Sequence, residues 1–413
     1  MNDQKSYFFC IFADMEINWK RNTTLFLASQ TMSLFGTMLV QFAIMWHIVL
    51  KTQSGTMMTI YIVAGVLPTF FTSLFGGVWA DRYNKKHLIN IADGSIAIVS
   101  LIIAICLFSG YDAIILLLIA GAIRALGQGV QQPAVNSLIP VIVPTENLMR
   151  INGINSSIQS GIFLLSPVVS ASLMSFASLE AIFFIDVITA TIAIIILYFL
   201  VKVPHIDKKE NIKNVSHFAD LIDGLKYIKS QKYLYKLVIL STIFMIVMSP
   251  VSLTPLQVTR NWDTEIWRLT AIEITFSGGM ILGGILVGIY ALKNRIYSMG
   301  ISSILLGVLT ILLGLWTNFI PYLICMAISG IVLPYYNAPY MTLMQEKVTA
   351  EYLGRVLSVF TMTGSIAMPF GMLFFGPLCD IININYILVG VGIGMCFLGA
   401  LFFFSRTLRI AGS

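Results

Sequence analysis

The stretch GAIRALGQGVQQPAVNSLIPVIVPTENLMRING, residues 121–153, decides the fold because the second half of the chain repeats it as GIVLPYYNAPYMTLMQEKVTAEYLGRVLS, residues 330–358. The shared register pairs Ser137 with Thr342, Leu138 with Leu343, Glu146 with Glu351, Leu148 with Leu353 and Arg150 with Arg355. The glycine pair at 76–77 recurs at 283–284 in the same way. Two similar apolar halves are typical of membrane transporters, in which a site between repeats opens to either side.

Composition places the chain in the membrane. Of its 413 residues, 57% are hydrophobic and 11% charged, whereas a soluble domain has roughly 25% charged residues. Apolar runs of membrane-spanning length recur at 23–49, 55–79, 88–109, 113–138, 152–175, 181–201, 234–257, 267–291, 297–316, 320–344, 356–379 and 385–405. We therefore predict an all-α membrane protein with twelve transmembrane helices in two pseudo-symmetric six-helix bundles.

These spans divide the chain into an N-terminal bundle at 23–201, a linker at 202–233 and a C-terminal bundle at 234–405. With twelve spans both termini lie on one side, and 21 of the 25 basic residues fall on that side against three on the other. The positive-inside rule then makes the tails at 1–22 and 406–413 cytoplasmic. The net charge of +6 reflects this orientation and does not indicate a nucleic-acid partner.

The linker and the N-terminus are the two hydrophilic parts of the chain. In the linker, HFADLIDGLKYIKSQKYLYK from His217 has apolar residues at helical spacing, which favours either a helix on the membrane surface or a solvated tether. Residues 1–14 do not resemble a secretory signal, and Met15 is an alternative start. The five cysteines have no paired spacing and indicate neither disulfides nor a metal site.

The second predicted span ends in GGVWADRYNKK, with Gly77, Asp81, Arg82, Lys85 and Lys86. This segment resembles the loop signature of the major facilitator superfamily, with Asn84 where glycine is usual. The resemblance implies that these residues form a conformational latch. In the second half Gly288 falls where Asp81 would lie, so we expect the latch to be asymmetric.

One arginine and three carboxylates lie more than one residue inside the predicted spans and away from their basic ends, and a charge at mid-membrane depth is costly. Arg124 resembles the fourth-span arginine of drug:proton antiporters, with Gly129 in place, and either couples protons or pairs structurally with Asp93. Asp186 and Glu273 lie about one and a half turns into their spans, and Asp186 could instead be a helix-end carboxylate solvated from outside. Glu273 is the favoured proton or cation site, because glycines at 278, 279, 283 and 284 suggest close packing below it.

Several polar side chains indicate a central substrate cavity. Ser29, Ser33, Thr37 and Gln41 follow each other at four-residue spacing on the first span. We expect this face to line the cavity with Gln128, Asn155, Gln159, Tyr335, Tyr336 and Asn337. The alternative is that these groups form hydrogen bonds between helices.

The chain as a whole resembles the macrolide-efflux branch of the drug:proton antiporters, in NWKR at Asn18, FIDVITA at Phe184, AIEITFSGGMILGG at Ala271 and QEKVTAEYLGRVLS at Gln345. The resemblance implies a bacterial inner-membrane exporter of a bulky hydrophobic, macrolide-like drug in exchange for protons. We expect membrane lipid as a partner, a monomer, and no enzyme activity, cofactor or metal; a partnership with an ATP-driven efflux protein is left open. Metabolite transport and, less favoured, a non-transporting sensor or accessory subunit remain alternatives.

Overall fold

The structure is a computed structural model that describes residues 19–203, 217–262, 264–290, 294–405 and 407–408. Within them, twelve helices are long and apolar enough to cross a membrane. This confirms the predicted all-α fold with twelve spans. The prediction about Met15 and the residues before it lies outside the described part of the chain.

The chain forms two compact units. The first comprises residues 1–45 and 64–210, and the second comprises residues 46–63 and 211–413. The segment 46–63 thus clusters with the second unit, although the sequence prediction placed it in the N-terminal bundle.

Six helices supply the first unit, and two of them extend beyond it at the segment 46–63. They are α1 (Trp19–Thr52), α2 (Gly55–Arg82), α3 (Lys85–Phe108), α4 (Ile114–Ile142), α5 (Leu148–Met174) and α6 (Leu179–Ile195). A π-helical turn at Ile196–Leu200 follows α6. Small residues bring these helices together, as at Gly129, where a Cβ would meet Thr72 of α2.

The second unit contains the linker helix and the remaining spans. Its helices are α7 (His217–Ser230), α8 (Lys232–Met248), α9 (Thr254–Asn261), α10 (Ile266–Ile289), α11 (Arg295–Leu315), α12 (Phe319–Lys347), α13 (Ala350–Ile381) and α14 (Ile384–Phe404). The 3-10 turn Ser249–Leu253 joins α8 and α9 into one span. Gly307 of α11 and Gly392 of α14 each face the other's carbonyl oxygen, so neither position has room for a side chain.

Close packing below Glu273 is found at two of the four glycines that suggested it. A Cβ at Gly279 or Gly283 would meet the carbonyl oxygens of Ala327 or Ile331 on α12. Gly278 and Gly284 have open space at the same point. The pair spaced by four residues therefore forms the contact stripe, because residues four apart share one helix face.

Candidate functional site

A buried ion pair lies inside the first unit. Arg124 of α4 contacts Asp186 of α6 at 2.5 Å, and their side chains are only 3% and 0% exposed. Ser100 of α3 donates to the same carboxylate oxygen at 2.6 Å and accepts a bond from Arg124. Arg124 also donates to the Thr37 carbonyl at 3.3 Å. The guanidinium is thus bound from three neighbouring helices.

This pair corrects two sequence interpretations. The arginine was expected to pair with Asp93 if its role was structural, but Asp186 is its partner. The alternative of a solvated helix-end carboxylate is also wrong for Asp186, which is fully buried. The reason lies on α1, where Gly36 leaves room for Asp186 and Thr189 because it has no side chain.

Asp93 is a second buried carboxylate in the same unit. It lies two turns before Ser100 on α3 and is 1% exposed. Its Oδ1 accepts a bond from Ser33 of α1 at 2.8 Å, while its Oδ2 has no hydrogen-bond partner among the described residues. Among the described residues, this group of buried side chains therefore contains one cation, Arg124, and two carboxylates, Asp93 and Asp186.

Glu273 of α10 occupies a different environment in the second unit. Its side chain is half-buried, and within the described ranges no hydrogen bond or ion pair reaches it. Burial of a carboxyl group favours its neutral form unless a cation or donor compensates. A proton or a cationic ligand could supply that compensation at Glu273.

The predicted polar stripe of the first span points into its own unit. Ser33 is bonded to Asp93, Thr37 is buried beside Arg124, and Ser29 donates to the Phe26 carbonyl at 2.8 Å. Gln41 is exposed. Ser33 thus bonds to a buried carboxylate, and the backbone carbonyl of Thr37 accepts a bond from Arg124. The assignment of both residues to a substrate cavity stays a prediction.

A pocket in the first unit opens on an adjacent face of α1. Its lining consists of Gln30, Thr31 and Leu34 of α1, Gln131, Gln132 and Val135 of α4, and Asn155, Ile158 and Gln159 of α5. Gln131 donates to Gln30 at 3.1 Å. The enclosed volume is about 10 Å³, room for about one water molecule. A bulky ligand would need more surface than this pocket provides.

The substrate cavity stays a prediction, but two of its residues lie at this pocket. Asn155 and Gln159 line the pocket, whereas Gln128 does not. Gln30 and Gln132 line the pocket but were not predicted. Gln30 directly follows Ser29 in the sequence, and Gln132 directly follows Gln131. On α1 and α4, residues near the buried charges and residues that line the pocket are neighbours in the sequence. The rotation of each helix about its axis decides which of them faces the pocket.

The polar residues predicted on the tenth span have different environments. Tyr336 is buried, and its ring stacks on Phe244 at 4.6 Å. Tyr335 is half-buried and its carbonyl accepts a bond from Ser298, while Asn337 is exposed. The Tyr336 ring thus packs within the second unit, and its assignment to a substrate cavity stays a prediction.

The predicted latch segment includes a helix cap and a tether. The Asn84 side chain accepts bonds from the backbone N–H groups of Lys86 and His87 and caps α3. Lys86 donates to the Val201 carbonyl after α6 at 2.7 Å. Arg82 is exposed and Lys85 is half-buried, and the Asp81 side chain lies outside the described part of the chain.

A glycine in this segment lies close to a neighbouring helix. Gly76 is buried, and a Cβ there would meet the Gly129 carbonyl oxygen. Gly77 is only half-buried. The role of Gly77 in the latch stays a prediction.

A cluster of charged residues in the second unit was not predicted. Asp380, near the end of α13, accepts bonds from the backbone N–H groups of Gly55 and Thr56 at 2.7 and 2.9 Å. These groups begin α2, where the helix dipole favours a negative charge. Arg260 pairs with Asp380 at 2.9 Å and also donates to the Gln53 carbonyl. These contacts hold residues 53–56 to the second unit.

Comparison with known proteins identifies the family. Residues 24–372 match the Major Facilitator Superfamily. The chain is 31% identical over 376 residues to Macrolide efflux protein A of Streptococcus pyogenes, which covers 89% of this chain and 92% of that protein. It is also 31% identical over 300 residues to Macrolide efflux protein A of Enterococcus faecalis, covering 72% and 93%.

A solved structure with the same fold is a bacterial homolog of the human lysosomal transporter Spinster, in an inward-facing and occupied conformation. Its TM-score is 0.68 with 14% identity, and the match covers 95% of this chain and 98% of that one.

Proposed function

Because this chain belongs to the Major Facilitator Superfamily, and is a multi-pass membrane transporter rather than an enzyme, we propose that it exports a bulky hydrophobic, macrolide-like antibiotic by proton antiport with alternating access. The observation that carries the substrate class is the 31% identity to Macrolide efflux protein A over most of both chains. The proposed location is the bacterial plasma membrane with both termini in the cytoplasm, as the basic residues predict.

The charge balance in the first unit supports proton coupling. The described part of this unit contains one buried guanidinium and two buried carboxylates, and Asp186 already neutralises the guanidinium. Asp93 keeps one oxygen without a partner among the described residues. A negative charge left there is costly at this depth, so uptake of one proton by Asp93 balances the network. Asp93 is then a proton carrier, and the charged pair of Arg124 and Asp186 influences it through its electrostatic field.

Glu273 is the second proposed coupling group. It is a half-buried carboxylate without a partner among the described residues, so its neutral form is stabilised by its surroundings. A proton, or a cationic group on the substrate, would compensate the same charge. If the proton and the cationic group of the substrate compete for this carboxylate, binding of one releases the other, as antiport requires.

The proposed substrate surface in the first unit consists of side-chain amides on an apolar wall. Gln131, Asn155 and Gln159 supply hydrogen-bonding groups, and Leu34 and Val135 supply apolar contact. Drug-sized ligands need a large, mostly apolar site with a few polar groups, so these residues would form only part of the proposed site, because their own pocket has room for about one water molecule. The other cavity candidates rest on the sequence argument alone and are Ser33, Thr37, Gln41, Gln128, Tyr335, Tyr336 and Asn337. The same holds for the latch of Gly77, Asp81, Arg82, Lys85 and Lys86.

The test is accumulation of labelled antibiotics in a sensitive host that expresses this chain. The panel contains a macrolide, a lincosamide and a tetracycline, each measured with and without an uncoupler. We expect lower macrolide accumulation, restored by the uncoupler and by Glu273→Gln. The matched control is Glu265→Gln, which removes an exposed carboxylate just before the same helix. Unchanged accumulation of every compound would contradict antibiotic export and favour metabolite transport.

Proton movement is tested separately in proteoliposomes that contain a pH-sensitive dye. Addition of the transported drug should move protons in the wild type, and Asp93→Asn should abolish this movement. If Asp93→Asn still exchanged protons for drug, Asp93 would not be the carrier.

A further inference from the structure

One face of α7 combines large apolar residues with lysines and is exposed. Ile222 and Leu225 are 44% and 51% exposed, and the Lys226 side chain is 73% exposed. Lys229 is exposed as well. The spacing of three, four and seven residues from Ile222 places all four on one stripe of the helix. Asp223, which pairs with Lys226 at 3.5 Å, is the described acidic neighbour of this stripe.

The opposite face of α7 is fixed to the second unit. Gly224 packs against the Arg355 carbonyl oxygen of α13. Tyr227 stacks on Tyr352 at 4.5 Å, and Ile228 is buried. The helix is therefore held with a defined face outward, which a solvated tether would not require.

The chain connection places this face at the membrane surface. A single residue separates the end of α7 from Lys232, where the membrane-spanning segment Lys232–Asn261 begins. Lys232 and Lys236 are exposed at that end. Tyr235 is exposed between them, the residue type that favours the interface between lipid headgroups and hydrocarbon.

We propose that α7 is a binding surface for anionic lipid headgroups. Lys226, Lys229, Lys232 and Lys236 attract the negative leaflet, while Ile222 and Leu225 seat at the boundary of the headgroups and acyl chains. Helices that lie in the interface have this combination of a basic and an apolar surface. Clusters of lysines next to a transmembrane helix bind anionic lipid through the surface potential. This inference does not depend on the transported substrate.

The experiment is hydrogen–deuterium exchange of the full chain in nanodiscs of phosphatidylcholine, or of phosphatidylcholine and phosphatidylglycerol at about 3:1. About 1 kcal/mol per lysine at an anionic surface corresponds to about fivefold. We therefore expect backbone amides at 222–230 to exchange at least about threefold more slowly in the anionic discs. High salt should reduce the difference, because it screens exposed charges.

Paired variants assign the effect to this stripe. Lys226→Gln with Lys229→Gln should remove the difference between the two kinds of disc, and Ile222→Gln with Leu225→Gln should reduce it. The control is Lys20→Gln with Lys202→Gln, which removes two exposed charges from the first unit. This control should keep the difference in exchange between the two kinds of disc. Equal exchange in both discs, or an unchanged difference in the Lys226 and Lys229 variant, would overturn the proposal.

Discussion

Replacement of Asp186 by asparagine should destabilise the protein strongly. The substitution keeps the shape of the side chain and removes the charge that faces Arg124 at 2.5 Å. Both side chains are buried, so solvent does not replace the lost interaction. Removal of one partner from a buried ion pair typically costs about 3–5 kcal/mol, because the other charge stays buried without compensation.

The hydrogen bonds around Arg124 set the expected value within that range. Ser100 and the Thr37 carbonyl still contact the guanidinium, and asparagine can accept one bond. We therefore expect about 3 kcal/mol for Asp186→Asn. The double variant Arg124→Gln with Asp186→Asn removes both charges and should cost less than Asp186→Asn alone, with a coupling energy of about 2 kcal/mol.

The assay is unfolding by SDS titration in mixed micelles, followed by circular dichroism for the wild type, both single variants and the double variant. The control is Asp223→Asn, which breaks the exposed pair with Lys226 and should change stability by less than about 1 kcal/mol. A change this small for Asp186→Asn, or additive effects of the two single variants, would refute the reasoning.

Transport by the double variant then separates structure from coupling. If the pair only holds helices together, the folded double variant should export drug in exchange for protons like the wild type. Loss of drug-driven proton movement in a folded double variant would support a coupling role for Arg124 and Asp186.

Three further predictions concern the packing and ends of helices. Gly279→Ala should cost about 1–3 kcal/mol in the same unfolding assay, because its methyl group meets a carbonyl of α12, whereas Gly278→Ala has open space and should cost little; equal costs would contradict this. Asp380→Asn should speed hydrogen exchange in the first turn of α2, since it weakens a charge-assisted contact with that helix end; unchanged exchange would count against it. Asp81→Asn should impair drug export more than Gly288→Ala, whose position has no neighbour within 4 Å, and equal export by both variants would argue against an asymmetric latch.

Much of the fold followed from hydropathy, because a membrane helix needs a long apolar run wherever it occurs. The same signal does not give the rotation of a helix about its axis. Gly76 meets α4, and Gly279 rather than Gly278 meets α12. Apolar surroundings on every side leave no amphipathic pattern to orient such helices.

The candidate site was predicted as a set of residue types, and the structure supplied their partners. Arg124, Asp93 and Asp186 stood out in the sequence because charges within membrane spans are rare. The sequence did not show which of them pair, because pairing depends on contacts between helices that are distant in the chain. Asp380 was missed because an acidic residue at the end of a span is unremarkable until the N-terminus of α2 is placed against it.

The sequence by itself determined that this chain crosses the membrane twelve times, that its halves repeat, and which ionisable groups lie within the spans. These properties follow from the cost of exposing polar groups to lipid, which acts on each segment separately. Only the tertiary structure decided that Asp186 neutralises Arg124 while Asp93 bonds to Ser33. That choice depends on which helix faces meet, and a pair of buried charges is stabilised only by the geometry of its contact.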